Sequence, residues 1–354
     1  MNVKDIDLLC CPNCKSQLNF VLKKKSVDDL EILFCSSCKL LFPIIDKIPV
    51  LLKNEIRSFE LENQYILKFN NYNENPSLKD FKKNTLTVLA IAKDKPKSWE
   101  WEDEVYWGNY YSKKIGTSEI EEDWGVRIWQ LDWFLENFPP SLALSNQAIL
   151  DVGCGEGHPF RYCISKKISA DTKYVATDIS ISALKFNRSL NKHKNSLYVV
   201  ASADNLPFKN QTLDAICYFG ILHHAERLAD TVPEDADFLK SGGSILLLEA
   251  LSRPHVSSFI PYYANKVESA HEHRIDRNNL WKNLKIRDDL KIINFREEYT
   301  LLYGGLRHFM RFSIFNNKSY YKLIMFLDKI FLITFRKISS FFDSGEILVV
   351  LKKD

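Results

Sequence analysis

Residues 147–157 read Gln-Ala-Ile-Leu-Asp-Val-Gly-Cys-Gly-Glu-Gly. The first half of this stretch is a continuous apolar run that predicts a buried β-strand, and its second half is a turn with glycine at alternate positions. A helix is expected to begin near Pro159. A glycine turn between a buried strand and a helix lets the backbone approach a ligand closely and directs helix N–H groups toward it.

The residues after this turn continue an alternation of strands and helices. Apolar runs predict further strands at 173–177, 196–201, 213–220 and 244–250, and a closing strand pair at 292–303 and 346–351. This order predicts an α/β fold with a doubly wound, mostly parallel sheet of seven strands, which binds ligands at the carboxyl ends of its strands. The polar side chains expected at those ends are Asp151, Asp178, Asp204, His223 and His224.

The expected ligand follows from the acidic residues of this edge. Asp178 closes the second strand, where a carboxylate can accept both ribose hydroxyls of a nucleoside. Two details argue against a dinucleotide: the glycines are not spaced Gly-x-Gly-x-x-Gly, and Asp151 would repel a pyrophosphate. S-adenosylmethionine has a ribose and a positive sulfonium but no phosphate, so it suits an acidic loop better.

Residues 147–250 resemble the class I S-adenosylmethionine-dependent methyltransferases with a type 11 domain. The family's Asp-x-Gly-x-Gly-x-Gly is Asp151 to Gly157, and its Leu-His-His is Leu222 to His224. Its Leu-Lys-Pro-Gly-Gly turn is Leu239 to Gly243, with Ser241 in place of proline. The resemblance implies S-adenosylmethionine as the cofactor, with Asp178 at the ribose and Asp204 near the adenine. The cofactor-binding residues that we expect are Asp151, Gly153, Cys154, Gly155, Gly157, Asp178, Ile179, Ala203, Asp204 and Phe219.

The histidines after the fourth strand are candidates for catalysis. An O or N acceptor has to lose a proton, and histidine is suited to take it, so we expect His224 to be the base. The alternative is that His223 and His224 only order the loop beneath the cofactor. Aromatic residues crowd the stretch 99–133, and they either pack helices or form a lid over the site. The lid and substrate candidates are Tyr106, Trp107 and His223.

The N-terminus predicts a metal site. Two Cys-x-x-Cys pairs, Cys11/Cys14 and Cys35/Cys38, are separated by twenty residues. This is the spacing of a zinc ribbon, in which two turns aim four thiolates at one Zn²⁺. Four thiolates leave no open position, so the zinc is expected to be structural. A redox Cys-x-x-Cys would explain one pair but not both, and Cys10 is expected to pack beside the site.

The cysteine pairs and residues 42–52 together resemble a small zinc-ribbon domain. That domain occurs alone as an activating partner of methyltransferases, and elsewhere it precedes a methyltransferase domain in one chain; Lys47 replaces its usual glycine. The expected organisation is a zinc ribbon at 1–53, a helical connector or lid at 54–146 and a methyltransferase domain at 147–354. Residues 1–53 carry eight lysines and six acidic residues, so the metallated ribbon is near neutral.

The charge of the chain is nearly balanced except in one segment. The 354 residues include 48 Lys and Arg against 45 Asp and Glu. This balance gives no reason to assume that the molecule as a whole is attracted to nucleic acid. Residues 300–342 carry seven basic side chains against one acidic, with apolar residues at helical spacing. We expect either a core-packed helix with a solvated basic face or a docking surface for an anionic or lipidic substrate, a membrane face or a protein.

The N-terminus lacks the apolar run of a secretory signal, and no stretch has the roughly 18 uncharged residues of a membrane span, so we expect a cytoplasmic protein. We predict a methyltransferase that acts on an O, N or C nucleophile of a small metabolite or glycan-like intermediate. One alternative is an RNA methyltransferase that uses the ribbon and the basic C-terminal region to bind RNA. Another is a catalytically silent module that binds the cofactor only.

Overall fold

The fold is taken from a computed structural model of the chain. It describes residues 3–22, 31–69, 77–94, 108–113, 127–225, 228–250, 275, 277–299, 319–320, 322–324, 326–327, 330 and 345–354. Within these ranges the chain forms a small four-stranded sheet and a larger seven-stranded sheet.

The small sheet is the N-terminal ribbon. It follows the short helix α1 (Val3–Ile6) and is antiparallel in the order β1-β2-β3-β4, with strands β1 (Leu18–Leu22), β2 (Glu31–Cys35), β3 (Leu40–Ile45) and β4 (Ile48–Pro49). The two-residue turn between β3 and β4 has positive φ at Asp46 (51°) and Lys47 (66°). Such a turn favours glycine, and Lys47 stands where the resembling family has one.

The connector contains the helices α2 (Phe59–Lys68), α3 (Ser77–Asp94) and α4 (Arg127–Glu136). The first two lie where the sequence predicts a helical connector. Ser58 caps α2, its hydroxyl accepting a hydrogen bond from the Leu61 N–H at 3.3 Å. Helix α3 is tied to the ribbon through the Thr85 hydroxyl, which accepts a hydrogen bond from the Leu41 N–H at 2.9 Å.

The larger sheet confirms the predicted class. Its strand order is β10-β11-β9-β8-β5-β6-β7, with five parallel strands from β9 to β7 and with β11 antiparallel to both β9 and β10. The strands are β5 (Ala148–Val152), β6 (Lys173–Asp178), β7 (Ser196–Val200), β8 (Leu213–Phe219), β9 (Leu239–Ala250), β10 (Leu290–Tyr299) and β11 (Gly345–Lys353). The described helices between them are α5 (His158–Tyr162), α6 (Ile181–Leu190), α7 (Leu228–Asp235) and α8 (Arg277–Leu284).

The order of the parallel strands reverses between β5 and β8. After β5 the chain adds β6 and β7 on one side, then returns to place β8 and β9 on the other. In open α/β sheets, the crevice at such a switch point receives ligands. The glycine turn after β5 and the two histidines after β8 therefore face the same crevice.

Strand β9 begins earlier than the sequence suggested. The expected turn at 239–243 is instead a bulge within the strand, because β8–β9 pairing passes from Leu213 opposite Leu239 directly to Ala215 opposite Ser244. Gly242 has a φ of 79° in this bulge. The turn residues are thus used to shift the strand register rather than to start the strand.

The ribbon closes the β7 edge of the large sheet. Val50 forms a parallel bridge with Val200, and the Leu51 N–H donates to the Val200 carbonyl at 2.9 Å. Farther along, Leu9 forms an antiparallel bridge with Phe208, flanked by two further backbone hydrogen bonds. An exposed edge strand is an aggregation hazard, and the ribbon covers this one.

The ribbon and the large sheet share their hydrophobic cores. One buried cluster joins Leu9, Leu33 and Phe42 of the ribbon to Val199 and Phe208 of the large domain. A second joins Ile45, Ile48 and Val50 to Tyr198 and Val200. Removal of the ribbon would therefore expose apolar surface on both faces of the sheet edge. Within the described ranges, no helix is both long enough and apolar enough to cross a membrane.

Candidate functional site

The turn after β5 has the backbone that the sequence predicted. Gly153, Gly155 and Gly157 have φ values of 58°, 49° and 71°, a region that residues with a side chain rarely adopt. A β-carbon at Gly153 would also lie 2.3 Å from the side chain of Ile221 in the loop after β8. Glycine is required there by both conformation and space, and the two loops are in close contact.

Asp178 lies at the end of β6 and faces the glycine turn. Its Oδ2 accepts a hydrogen bond from the Gly155 N–H and its Oδ1 accepts one from the Ser180 N–H, both at 2.9 Å. Burial raises the pKa of Asp178 to about 6. Each carboxylate oxygen has a second lone pair, so this carboxylate retains acceptor capacity for a ribose hydroxyl on each oxygen.

Asp151 lies deeper than Asp178. Its side chain is buried, and its Oδ2 accepts a hydrogen bond from the Tyr174 hydroxyl at 2.8 Å. Burial raises the pKa of Asp151 to about 7, and the Asp178 charge adds to the shift. One carboxylate oxygen of Asp151 is therefore held by Tyr174 inside the protein core.

Tyr111 stands over the turn from the connector. It lies in a helical segment at 108–113, and a β-carbon at Gly155 would come within 2.8 Å of its hydroxyl oxygen. Burial raises the pKa of Tyr111, and the nearby charges of Asp178 and Glu156 raise it further. This residue belongs to the aromatic stretch noted in the sequence but was not singled out there. The chosen lid candidates, Tyr106 and Trp107, lie outside the described residues.

The two histidines after β8 have different surroundings. His223 Nδ1 lies 2.6 Å from Glu249 Oε1, and Glu249 Oε2 accepts a hydrogen bond from the Leu222 N–H at 2.7 Å. Glu249, near the end of β9, is fully buried, whereas the His223 side chain is 20% exposed. His224 is 8% exposed, and its ring centre lies 4.2 Å from that of His223. The carboxylate thus orients His223, not the expected base His224.

The other expected cofactor residues line the same strand ends. Ile179 follows Asp178, and Cys154 is buried in the glycine turn. Ala203 and Asp204 lie in the loop after β7 and are partly exposed. Phe219, at the end of β8, is buried against the ring of Phe134 in α4, at 5.3 Å between ring centres. The fold therefore brings the described members of the predicted set to one edge of the sheet.

The four N-terminal thiols form one cluster. The sulfurs of Cys11, Cys14, Cys35 and Cys38 all lie within 4.8 Å of one another. Two of the separations are 3.9 Å, between Cys11 and Cys38, and 3.5 Å, between Cys14 and Cys35. Tetrahedral zinc with Zn–S bonds of about 2.3 Å separates its sulfurs by about 3.8 Å, so the donor set fits a structural zinc ion.

The two cysteine turns share a backbone feature. Lys15 and Lys39 each follow the second cysteine of a pair, and both have positive φ, of 60° and 54°. The matching conformation shows that the turns are built alike, as expected of two halves of one metal site. Cys10 is separate, because its Sγ donates a hydrogen bond to the Phe208 carbonyl at 3.1 Å. Cys10 is buried and is not one of the four clustered thiols, which agrees with a packing role.

The two parts of the chain are similar to two different groups of known proteins. A methyltransferase domain family model matches residues 150–247. A tRNA U34 carboxymethyltransferase of Pseudoalteromonas atlantica is 23% identical over 187 residues, covering 48% of this chain but only 58% of that protein. A UPF0434 protein of Nitrosococcus oceani is 39% identical over 64 residues at the N-terminus, covering 18% of this chain and 98% of that protein.

Among solved structures, a geranyl diphosphate C-methyltransferase from Streptomyces coelicolor A3(2) aligns with a TM-score of 0.48 and 14% identity, over 73% of this chain and 99% of that one. The sequence matches, the seven-stranded sheet and the thiol cluster agree with the resemblance found in the sequence. The chain therefore contains a methyltransferase domain at residues 150–247, and it carries an N-terminal zinc ribbon similar to the UPF0434 proteins.

Proposed function

We propose that this chain transfers a methyl group to an O, N or C nucleophile of a small metabolite or glycan-like molecule, and that His223 takes the proton where the acceptor has one to lose. The observation that carries this proposal is the contact between His223 and the buried carboxylate of Glu249, 2.6 Å long, at the edge of the sheet that holds the glycine turn. His223 therefore replaces His224 as our candidate base.

The arrangement suits proton removal beside the cofactor. When bound, S-adenosylmethionine supplies the activated methyl group. A buried glutamate on Nδ1 fixes the orientation of the His223 ring and stabilises the imidazolium that forms when Nε2 takes a proton. Ile221, two residues earlier, packs against Gly153, which holds this loop beside the cofactor turn. Asp178 would bind the ribose, and Tyr111 would cover the cofactor over Gly155.

Three lysines at the junction of the ribbon and the sheet favour a small acceptor over RNA. Lys15 Nζ donates to the Asn205 side chain at 3.1 Å and to the Leu206 carbonyl at 2.9 Å. Lys173 pairs with Asp5 at 2.7 Å and Lys185 with Asp46 at 2.5 Å. These lysines hold the ribbon to the methyltransferase sheet, so they are engaged rather than presented to phosphates.

The acceptor class can be measured with cofactor labelled in its methyl group. The full chain is incubated with two pools from one cell extract, a small-molecule filtrate and total RNA. We expect the label in the small-molecule pool. Label that appears in RNA instead would support the alternative, which the similarity to tRNA U34 carboxymethyltransferases motivates. Cofactor binding without transfer to either pool would favour a silent module.

Asp178→Ala is expected to weaken S-adenosylmethionine binding more than about 100-fold in calorimetric titration. Two hydrogen bonds to a charged acceptor are lost, each worth about 1.5 kcal/mol or more. Asp171→Ala is the matched control, because it removes an exposed aspartate from the loop before β6. Thermal melts of both variants verify folding. Equal affinities in wild type and a folded Asp178→Ala chain would remove Asp178 from the cofactor site.

We also propose that the chain is divided into a ribbon at 1–53, a connector at 54–146 and a methyltransferase domain at 147–354. A cytoplasmic location is part of the same proposal. All eight cysteines are free, and a four-thiolate site requires reduced thiols, which a reducing compartment maintains.

A further inference from the structure

A C-terminal helical segment presents apolar side chains to solvent. The described positions between 319 and 330 are helical. Its exposed side chains are Tyr320 (54% exposed), Leu323 (51%), Phe326 (59%), Leu327 (44%) and Ile330 (44%). Ile324, in contrast, is only 8% exposed. A helix of a globular protein ordinarily turns its apolar stripe toward the core, so this one has a second apolar face with a different use.

The exposed residues form one continuous face. At about 100° per residue, Tyr320, Leu323, Phe326, Leu327 and Ile330 fall within an arc of about 120°. The buried Ile324 lies outside this arc. Lys322 is exposed and lies just beyond the arc on its other side. The helix therefore has a wide, mainly apolar face that also includes Ser319 and is bordered by Lys322. This is the pattern of helices that lie in a membrane interface.

The charge of the sequence that contains this face favours one occupant. Residues 300–342 carry seven lysines and arginines against Asp328 alone. If a second copy of the chain docked here, two segments with the same excess of positive charge would meet and repel each other. A polyanion such as RNA would match the charge but leave the apolar arc uncovered. An anionic phospholipid surface satisfies both, since it accepts apolar side chains and attracts each nearby basic residue by about 1 kcal/mol.

We propose that the face formed by Tyr320, Leu323, Phe326, Leu327 and Ile330 docks this protein on the surface of an anionic phospholipid bilayer. The sequence of this segment includes charged residues, among them Lys322 and Asp328, which are typical of a helix that lies on a membrane rather than one that spans it. The proposal does not depend on methyl transfer, because vesicle binding is measured without cofactor or acceptor.

The test is co-sedimentation of the full chain with two kinds of vesicle, one of phosphatidylcholine alone and one that also contains about 30% phosphatidylglycerol. We expect the partition coefficient to be at least about tenfold higher on the anionic vesicles and to fall as salt is added. The double variant Leu323→Glu/Phe326→Glu is expected to lower it at least about tenfold.

A matched control separates this face from exposed apolar residues in general. Leu67→Glu/Ile91→Glu changes two residues of similar exposure, 47% and 54%, on the connector helices, and it should bind vesicles like wild type. Thermal melts establish that both double variants are folded. Three results would overturn the proposal: no binding to anionic vesicles, equal loss in both double variants, or a wild-type dimer that binds no vesicles and that Leu323→Glu/Phe326→Glu makes monomeric.

Discussion

Replacing Cys35 by serine is expected to lower the melting temperature of the whole chain by more than about 10 °C, because zinc binding contributes several kcal/mol or more to the folding of such modules. The loss should not remain local. The ribbon shares two buried clusters with the methyltransferase sheet, and Leu51 and Val200 are joined by a backbone hydrogen bond. Release of the zinc therefore destabilises the β7 edge, and a chelator should have the same effect on wild type.

Cys10→Ser is the matched control for this experiment. Cys10 and Cys35 are 1% and 0% exposed, and both belong to the N-terminal module. Serine can still donate to the Phe208 carbonyl in place of the Cys10 thiol, so this variant should melt within a few degrees of wild type and keep one zinc per chain. Metal analysis and thermal denaturation give both readouts. A Cys35→Ser chain that retains its zinc and its melting temperature would contradict a structural four-thiolate site.

The parts of the site that the sequence predicted depend on local patterns. The glycine turn was recognisable because three glycines follow an apolar run, and all three have the positive φ that required them. Asp178 was recognisable because it closes a strand next to that turn. The cysteine pairs were recognisable by spacing alone, and the four sulfurs do converge. In each case the residues that define the feature lie close together in the sequence or repeat at a fixed interval.

The docking of the ribbon could not be predicted in this way. It joins Leu9 to Phe208 and Val50 to Val200, residues that are far apart in the chain and have no shared pattern. Their side chains are ordinary apolar residues, and three of the four lie outside the strands, so nothing in the sequence indicates a partner. The sequence thus indicated two modules but not that they share a core.

Glu249 was missed although the sequence contains a signal for it. It follows the apolar run Ile245 to Leu248, and a carboxylate at the end of a buried parallel strand is placed like Asp178. The same rule applied to the fifth strand would have put an acid beside the histidines. Which histidine it meets depends on the short helical turn Leu222–His224, and that conformation has no distinctive pattern in the sequence.

Glu249→Gln and His223→Ala are each expected to lower kcat by about 10² to 10⁴, the usual contribution of a general base. Affinity for S-adenosylmethionine should stay within about threefold of wild type, since neither side chain is assigned to the cofactor. Glutamine keeps an oxygen that can accept a hydrogen bond from the Leu222 N–H, so the loop can hold its shape. The negative charge of the Glu249 carboxylate beside His223 Nδ1 is lost.

His224→Ala is the control that separates the two histidines, because its ring lies only 4.2 Å from that of His223. With the acceptor pool that receives label, this variant should retain kcat within about tenfold of wild type. Added imidazole should restore part of the activity of His223→Ala, which loss of a purely structural side chain would not permit. The reverse order, with His224→Ala inactive and His223→Ala active, would return the role of base to His224 and leave Glu249 as an anchor of the loop.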